Sequence, residues 1–165
     1  IDSRNERDAA RLIALSDVIL LGGGHVPTQN AFFQSLRLHV LLREYTGVII
    51  GVSAGSMNCK DVVYAQPELP GESVDPDYRR FIPGLDLSRV QVLPHYQMVK
   101  DNILDGKRLF EDITYADSMG HVFYALVDGS YLYMQNGEEW LMGEAYRIAD
   151  GKLEQISKAG ESLKL

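Results

Sequence analysis

The chain has 165 residues, 45% of them hydrophobic and 24% charged, with a formal net charge of −7. That length suits one domain with a proper core, and an acidic balance without any Lys/Arg cluster argues against a nucleic-acid partner. The apolar runs fall far short of the roughly 20 residues a membrane span needs, the polar N-terminus is unlike a signal peptide, and Cys59 is the sole cysteine, so no intrachain disulfide forms and the cytoplasm is the expected location.

Asn5 to Ala14 reads as an amphipathic helix, with Ala9, Leu12 and Ile13 at helical spacing. A parallel α/β domain usually starts on a strand. The sequence opens instead within a connecting helix, so one or two leading strands and their helices are expected to be missing. Asp17 to Leu21 is almost wholly apolar, as in a strand buried on both faces, and runs into Gly22-Gly23-Gly24. Thr28 to Tyr45 is the next predicted helix, with Phe32, Phe33, Leu36, Val40 and Leu41 on its apolar face. Gly47 to Ile50 is a second strand, and Ser56 to Ala65 is compatible with a helix. Two strand–loop–helix units in series imply a parallel sheet with right-handed crossovers.

Gln66 to Asp77 holds Pro67, Pro70 and Pro76 and reads as a surface loop, long enough for a lid or substrate-binding segment. Val90 to Leu93 is a third strand, ending in Pro94-His95. Lys100 to Tyr115 is expected to be mostly helical, with Gly106 as an interruption. The remainder is a run of short strands, Val122–Val127, Ser130–Gln135, Glu139–Met142 and Ala145–Ile148. The dipeptides Asp128-Gly129, Asn136-Gly137 and Asp150-Gly151 separate or follow them, as in hairpins. The expectation is therefore a single α/β domain over residues 1–165, with a mostly parallel sheet flanked by helices and a C-terminal antiparallel meander.

The most informative segment is Gly51-Val52-Ser53-Ala54-Gly55, between an apolar strand and a helix-compatible stretch. Strand, sharp turn and helix with a serine at the apex make a nucleophile elbow, which lifts a hydroxyl above the carboxyl edge of a sheet. The glycines allow a tight turn and close substrate approach. N–H groups at the start of the following helix can stabilise an oxyanion.

Such a serine needs a base, usually an imidazole. His39 lies within a predicted helix and His121 at the start of a strand. His25 follows the glycine triplet and can line a site or simply occupy a loop. His95 is the best placed, just past the carboxyl end of a strand, where open α/β sheets hold their sites. The carboxylate is harder to choose. Asp128 ends a strand, yet Asp-Gly also makes a plain turn, so both readings stand.

N–H groups of Gly22–Gly24 could complete an oxyanion hole. No phosphate-loop pattern and no metal-ligand spacing is present, so neither a cofactor nor a metal is expected. Cys59 is expected to pack in the core. Arg79, Arg80 and Lys100 could meet a substrate carboxylate, against the commoner role of solvated surface charge.

Together, DVILLGGG, IIGVSAGSMN, VQVLPHYQ and YALVDGSYL resemble, in that order and over nearly the whole chain, the dipeptidase E (aspartyl dipeptidase) and cyanophycinase group of serine peptidases. The resemblance implies a class I glutamine amidotransferase-like, flavodoxin-like scaffold, a leading βα segment absent here, and hydrolysis of small peptides without a cofactor. It implies Ser53 as nucleophile, His95 as base and Asp128 as the triad acid. It also implies Gly23 and Ala54 as oxyanion donors, and Gly24, His25 and Gln29 beside the substrate. Leu93 stands where dipeptidase E has Asn, and Asp128 where it has Glu, so preference for an N-terminal aspartate does not carry over. The rival reading is a binding or regulatory domain on the same scaffold. Neither a nucleic-acid nor a membrane partner is expected, and a homodimer is left open. Cysteine at the elbow would indicate glutamine amidotransfer, which Ser53 disfavours.

Overall fold

A computed structural model describes residues 1–165. The first helical segment is short, a 3₁₀ turn at Glu6–Asp8 leading into α1 (Ala9–Ala14), with Ala9 and Ile13 buried. β1 (Val18–Leu21) and β2 (Val48–Gly51) pair in parallel, Val18 opposite Val48 and Leu21 opposite Gly51. The expected helix from Thr28 to Tyr45 is two helices. Pro27 at its first turn starts α2 (Val26–Ser35) early, as proline favours, and Arg37 at φ 51° separates it from α3 (Leu38–Leu42).

Ile13, Leu21, Phe33, Leu38, Leu42 and Leu85 form the core under one face of the β1–β2 pair. The opposite face is open, with Val18, Leu20, Val48 and Ile50 46–65% exposed. The strand at Asp17–Leu21 is thus buried on one face, not on both.

The helix after the elbow is α4 (Ala54–Met57), only 4 residues long. The predicted continuation to Ala65 instead becomes β3 (Val62–Tyr64), antiparallel to β4 (Phe81–Pro83). Val-Val-Tyr is β-branched and aromatic, and suits a pleated half-buried surface better than a helix. β5 (Gln91–Leu93) is wholly buried. It is followed by α5 (Tyr96–Val99) and a small hairpin of β6 (Ile103–Leu104) and β7 (Lys107–Arg108). This hairpin replaces the first half of the predicted Lys100–Tyr115 helix, and the second half is helical. Asp105 at φ 51° and Gly106 at φ 77° supply the two consecutive positive φ angles of a hairpin turn. A π-helical turn at Leu109–Thr114 and α6 (Tyr115–Asp117) follow.

The C-terminal strands are β8 (Val122–Leu126), β9 (Tyr131–Gln135), β10 (Glu138–Met142), β11 (Ala145–Ala149), β12 (Lys152–Ser157) and β13 (Ser162–Lys164). They do not make one meander. The sheet order is β12-β11-β8-β5, while β9 and β10 leave to form a separate sheet with β13. Parallel pairing between strands is confined to β1–β2 and β5–β8, so the sheet structure is less parallel than the sequence pattern implied. Asn136-Gly137 and Asp150-Gly151 are hairpin turns as expected, each with both φ angles positive. The largest core packs Val26, Ala54, Met57, Tyr64, Leu93, Tyr96, Phe110, Phe123 and Ile148 between α4 and the β5–β8 sheet. No helix is long and apolar enough to cross a membrane.

Candidate active site

Ser53 lies between β2 and α4 with φ 53° and ψ −120°. A non-glycine residue in such a conformation costs about 1–3 kcal/mol and persists only where its surroundings over-determine it. Here they do. The Ser53 carbonyl accepts from the Ser56 N–H (2.9 Å), the Met57 N–H (3.2 Å) and the Ser56 hydroxyl (2.6 Å). The serine itself makes the bend. The flanking glycines serve close packing, because a Cβ on Gly51 would lie 2.8 Å from Ser56 Cα and one on Gly55 would lie 2.1 Å from the Leu21 carbonyl oxygen.

β5 and β8 run in parallel with Leu93 opposite Ala125, so their carboxyl ends present His95 and Asp128 at the same edge. His95 also has a left-handed backbone, φ 61° and ψ 28°, and its carbonyl accepts from Met98 (2.8 Å) and Val99 (3.2 Å). Its ring reaches both neighbours, Nε2 lying 3.1 Å from Ser53 Oγ and Nδ1 2.6 Å from Asp128 Oδ1. With Asp128 ionised, Nδ1–H donates to the carboxylate, and Nε2 is left to accept from the serine hydroxyl.

The two readings of Asp128 prove compatible. The Ser130 N–H donates to the Val127 carbonyl (2.9 Å) and Gly129 has φ 94°, so Asp128 occupies a turn whose side chain is free to hold His95. The turn is fixed by Gln97, whose Oε1 accepts the Asp128 N–H at 3.0 Å. The side chains of His95 and Asp128 are 40% and 47% exposed, so the pair faces solvent.

Gly23 packs against Ser53, since a Cβ built on it would lie 3.4 Å from Ser53 Cβ. The Gly23 and Gly24 N–H groups have no protein acceptor. The Ala54 N–H opens α4 and has no acceptor within that helix. Gln29 holds the glycine turn from behind. Its Nε2 donates to the Gly22 carbonyl (2.7 Å), while its Oε1 accepts from buried Asn58 (3.1 Å). Both ends of the Gln29 amide are thereby engaged. So is the His25 ring, with Nδ1 2.8 Å from Thr28 Oγ1 and Nε2 2.7 Å from Glu72 Oε1.

Glu72 belongs to the Gln66–Asp77 loop, which is strapped down at several places, two of them by carboxylates. One is Glu72 itself, and the other is Asp105, which accepts from Gly71 N–H (2.8 Å), Ser73 N–H (3.1 Å) and Ser73 Oγ (2.7 Å). The Gly71 N–H and the Ser73 hydroxyl lower the Asp105 pKa below the ordinary carboxylate value. The strap therefore contributes fully above the unfolded aspartate value of about 3.9 and is lost as pH falls through the lower folded value. Acidification and Asp105→Asn at neutral pH each leave a single acceptor oxygen in place of two, and both are expected to loosen the hold on Gly71 and Ser73. The check is amide exchange at these two residues relative to the intrinsic rate at each pH, and unchanged protection in Asp105→Asn would contradict the assignment.

Glu68, in the same loop, is exposed. The surrounding protein nonetheless shields its carboxyl from water and raises its pKa. Arg80 is not the solvated charge expected from the sequence. It is half-buried over the Tyr78 ring, with Nη2 donating to the Ser73 carbonyl at 3.2 Å. Glu72, Gln97 and Asp105 escaped sequence reasoning because their partners lie 31–47 residues away and leave no local pattern.

Among the remaining candidates, His121 stacks on Phe81 with ring centroids 4.4 Å apart, and His39 lies in α3. The Cys59 thiol donates to the Gly55 carbonyl (3.3 Å), and burial pushes its pKa up to about 12, far from a reactive thiolate.

A cleft of ≈ 960 Å³ runs along β2 and the Leu126–Asn136 segment, with Ser53, His95 and Asp128 in its wall. The overall fold is similar to that of a peptidase from an acI-B1 Actinobacterium, with a TM-score of 0.59 at 18% identity, covering 99% of this chain and 64% of that one. It is also similar to a protein from Listeria monocytogenes EGD-e assigned as a peptidase E, with a TM-score of 0.53 at 17% identity, covering 96% of this chain and 67% of that one. The chain thus spans about two thirds of the length of either structure. No curated protein matches the sequence. Residues 2–141, which include the elbow, the His95 strand end and the Asp128 turn, match the profile of Peptidase family S51, and the chain belongs to that family.

Proposed function

We propose that the protein is a serine peptidase acting on small peptides, dipeptides among them, through a Ser53–His95–Asp128 triad on a class I glutamine amidotransferase-like scaffold. The observation that carries this reading is the continuous line from Ser53 Oγ to His95 Nε2 (3.1 Å) and from His95 Nδ1 to Asp128 Oδ1 (2.6 Å). A non-catalytic binding domain would have no need to hold its serine in a strained bend beneath an imidazole.

His95 Nε2 takes the Ser53 proton as Oγ attacks the peptide carbonyl carbon. Negative charge gathers on the carbonyl oxygen, and the unpartnered Ala54 and Gly23 N–H groups are the proposed donors to it. The imidazolium, steadied by Asp128, passes the proton to the leaving amine nitrogen as the C–N bond breaks. Water then gives a proton to the same Nε2 and attacks the acyl-Ser53 ester. Collapse of that second intermediate returns the proton to Oγ and frees the acid. No step calls for a metal or a cofactor. Ser53, His95 and Asp128 face a cleft of ≈ 960 Å³, of the order of a small-ligand site, whereas Gly23, Gly24, His25, Gln29 and Ala54 do not line it. A cytoplasmic setting fits a single, half-buried free cysteine.

A fluorophosphonate probe tests the reading directly. Stoichiometric labelling on the peptide that contains Ser53, located by mass spectrometry, is the expected result. An unlabelled protein, or label on another serine, would overturn it. A dipeptide panel then defines the side chains accepted.

A further inference from the structure

Building on that peptidase reading, we infer that Glu72 is a positioning residue for the oxyanion turn and acts through His25. The turn Gly22–His25 has few bonds of its own, and the Gly23 and Gly24 N–H groups donate to nothing in the protein. An N–H can serve an oxyanion only if it is held in place without being consumed. On one side Gln29 grips the Gly22 carbonyl at 2.7 Å. On the other the His25 carbonyl accepts the Gln29 N–H (3.0 Å) as α2 begins, and the His25 ring adds a second hold, immobilised between Thr28 Oγ1 (2.8 Å) and Glu72 Oε1 (2.7 Å).

The second Glu72 oxygen is equally committed. Oε2 accepts the N–H groups of Glu68 (2.8 Å) and Leu69 (3.0 Å), so the carboxylate closes its own loop while it holds His25. The side chains of His25 and Glu72 are 21% and 15% exposed, which limits exchange of this contact for water. Asp105 pins the loop from the far side through Gly71 and Ser73. Glu72 thus has a fixed base from which to fix His25, and His25 is separated from Gly23 only by Gly24, a flexible residue at φ 146°. The Gln66–Asp77 segment is in this way a brace for the turn that faces Ser53, as well as a surface loop.

Glu72→Ala and His25→Ala are each expected to lower kcat about 10–100-fold, the order set by a misplacement of about 1 Å, with KM within about threefold of wild type. Since one residue acts through the other, the double variant is expected to lose no more than either single one. Glu72→Gln keeps an oxygen for the two loop N–H groups and an amide N–H for a retautomerised His25, so it is expected to stay within about threefold of wild type. Independently of activity, backbone ¹⁵N order parameters of Gly23 and Gly24 are expected to fall in Glu72→Ala toward the flexible range, below about 0.6. Unchanged order parameters in Glu72→Ala, or single losses that multiply in the double variant, would overturn the inference. Failure of wild type to take the fluorophosphonate would remove the peptidase reading alone, and the order parameters would still decide the role of Glu72 in holding the turn.

Discussion

Ser53→Ala and His95→Ala are each expected to lower kcat by about six orders of magnitude, with KM little changed and the double variant no worse than either single one. Non-additivity is the sharper part of this expectation. The hydroxyl and the ring share one proton over 3.1 Å, so removing either leaves the other without a task. What survives is binding and oxyanion stabilisation, worth about 10³–10⁴ over water. The measurement is kcat on a dipeptide or acyl-aminocoumarin substrate with protein purified free of contaminating host peptidase. A Ser53→Ala rate within tenfold of wild type would sink the triad.

Asp128 belongs to the same expectation but at a smaller scale. A triad carboxylate removed alone costs about 3 × 10⁴ in a protease of the subtilisin type. The His95–Asp128 pair here is 40% and 47% exposed, so water can reach Nδ1 and take over part of the orienting role. Asp128→Ala is therefore expected to cost about 10³, less than that reference. The same openness predicts a dependence on Gln97, which fixes the Asp128 backbone at 3.0 Å and so keeps the carboxylate near the ring.

The sequence is most legible where the signal is local. Gly-x-Ser-x-Gly after an apolar run marks the turn at Ser53, and Pro-His at a strand end marks the imidazole that the fold brings beside it. Asn136-Gly137 and Asp150-Gly151 marked hairpins, because two consecutive positive φ angles demand such residues. Reading failed where tertiary pairing overrode periodicity. Val62, Val63 and Tyr64 follow a helix-compatible stretch, yet they pair with β4 through a partner segment about twenty residues on. Asp105-Gly106 turned an expected helix into a hairpin. Asp128 was ambiguous for a physical reason, since the residue that shapes the turn also carries the carboxylate. The bracing of the glycine turn by Gln29, His25 and Glu72 was invisible, because it rests on side chains brought together only by the fold.

Gly55→Ala is expected to harm the fold through a single added methyl group. The added Cβ would lie 2.1 Å from the Leu21 carbonyl oxygen, 2.6 Å from the Leu21 carbonyl carbon and 2.7 Å from the Gly22 oxygen. All three are backbone atoms, so no side chain can rotate away and the strand end itself must move. Leu21 pairs with Gly51 in the parallel β1–β2 register, which resists that movement. Overpacking of this kind costs about 3 kcal/mol, and at about 2–4 °C per kcal/mol for a domain of this size Tm is expected to fall by about 6–12 °C. The displaced atoms lead straight into Gly23, so activity should drop further than the folded fraction accounts for. Gly23→Ala is the matched control. Its Cβ would meet Ser53 Cβ at 3.4 Å and Ser53 Oγ at 3.8 Å, ordinary contact distances. Stability should hold there while the new methyl crowds the acyl group on Ser53. Urea or thermal melts of the two variants beside wild type separate these effects. A Gly55→Ala protein within 1 kcal/mol of wild type would mean that α4 does not press on the end of β1 as closely as Gly55 implies.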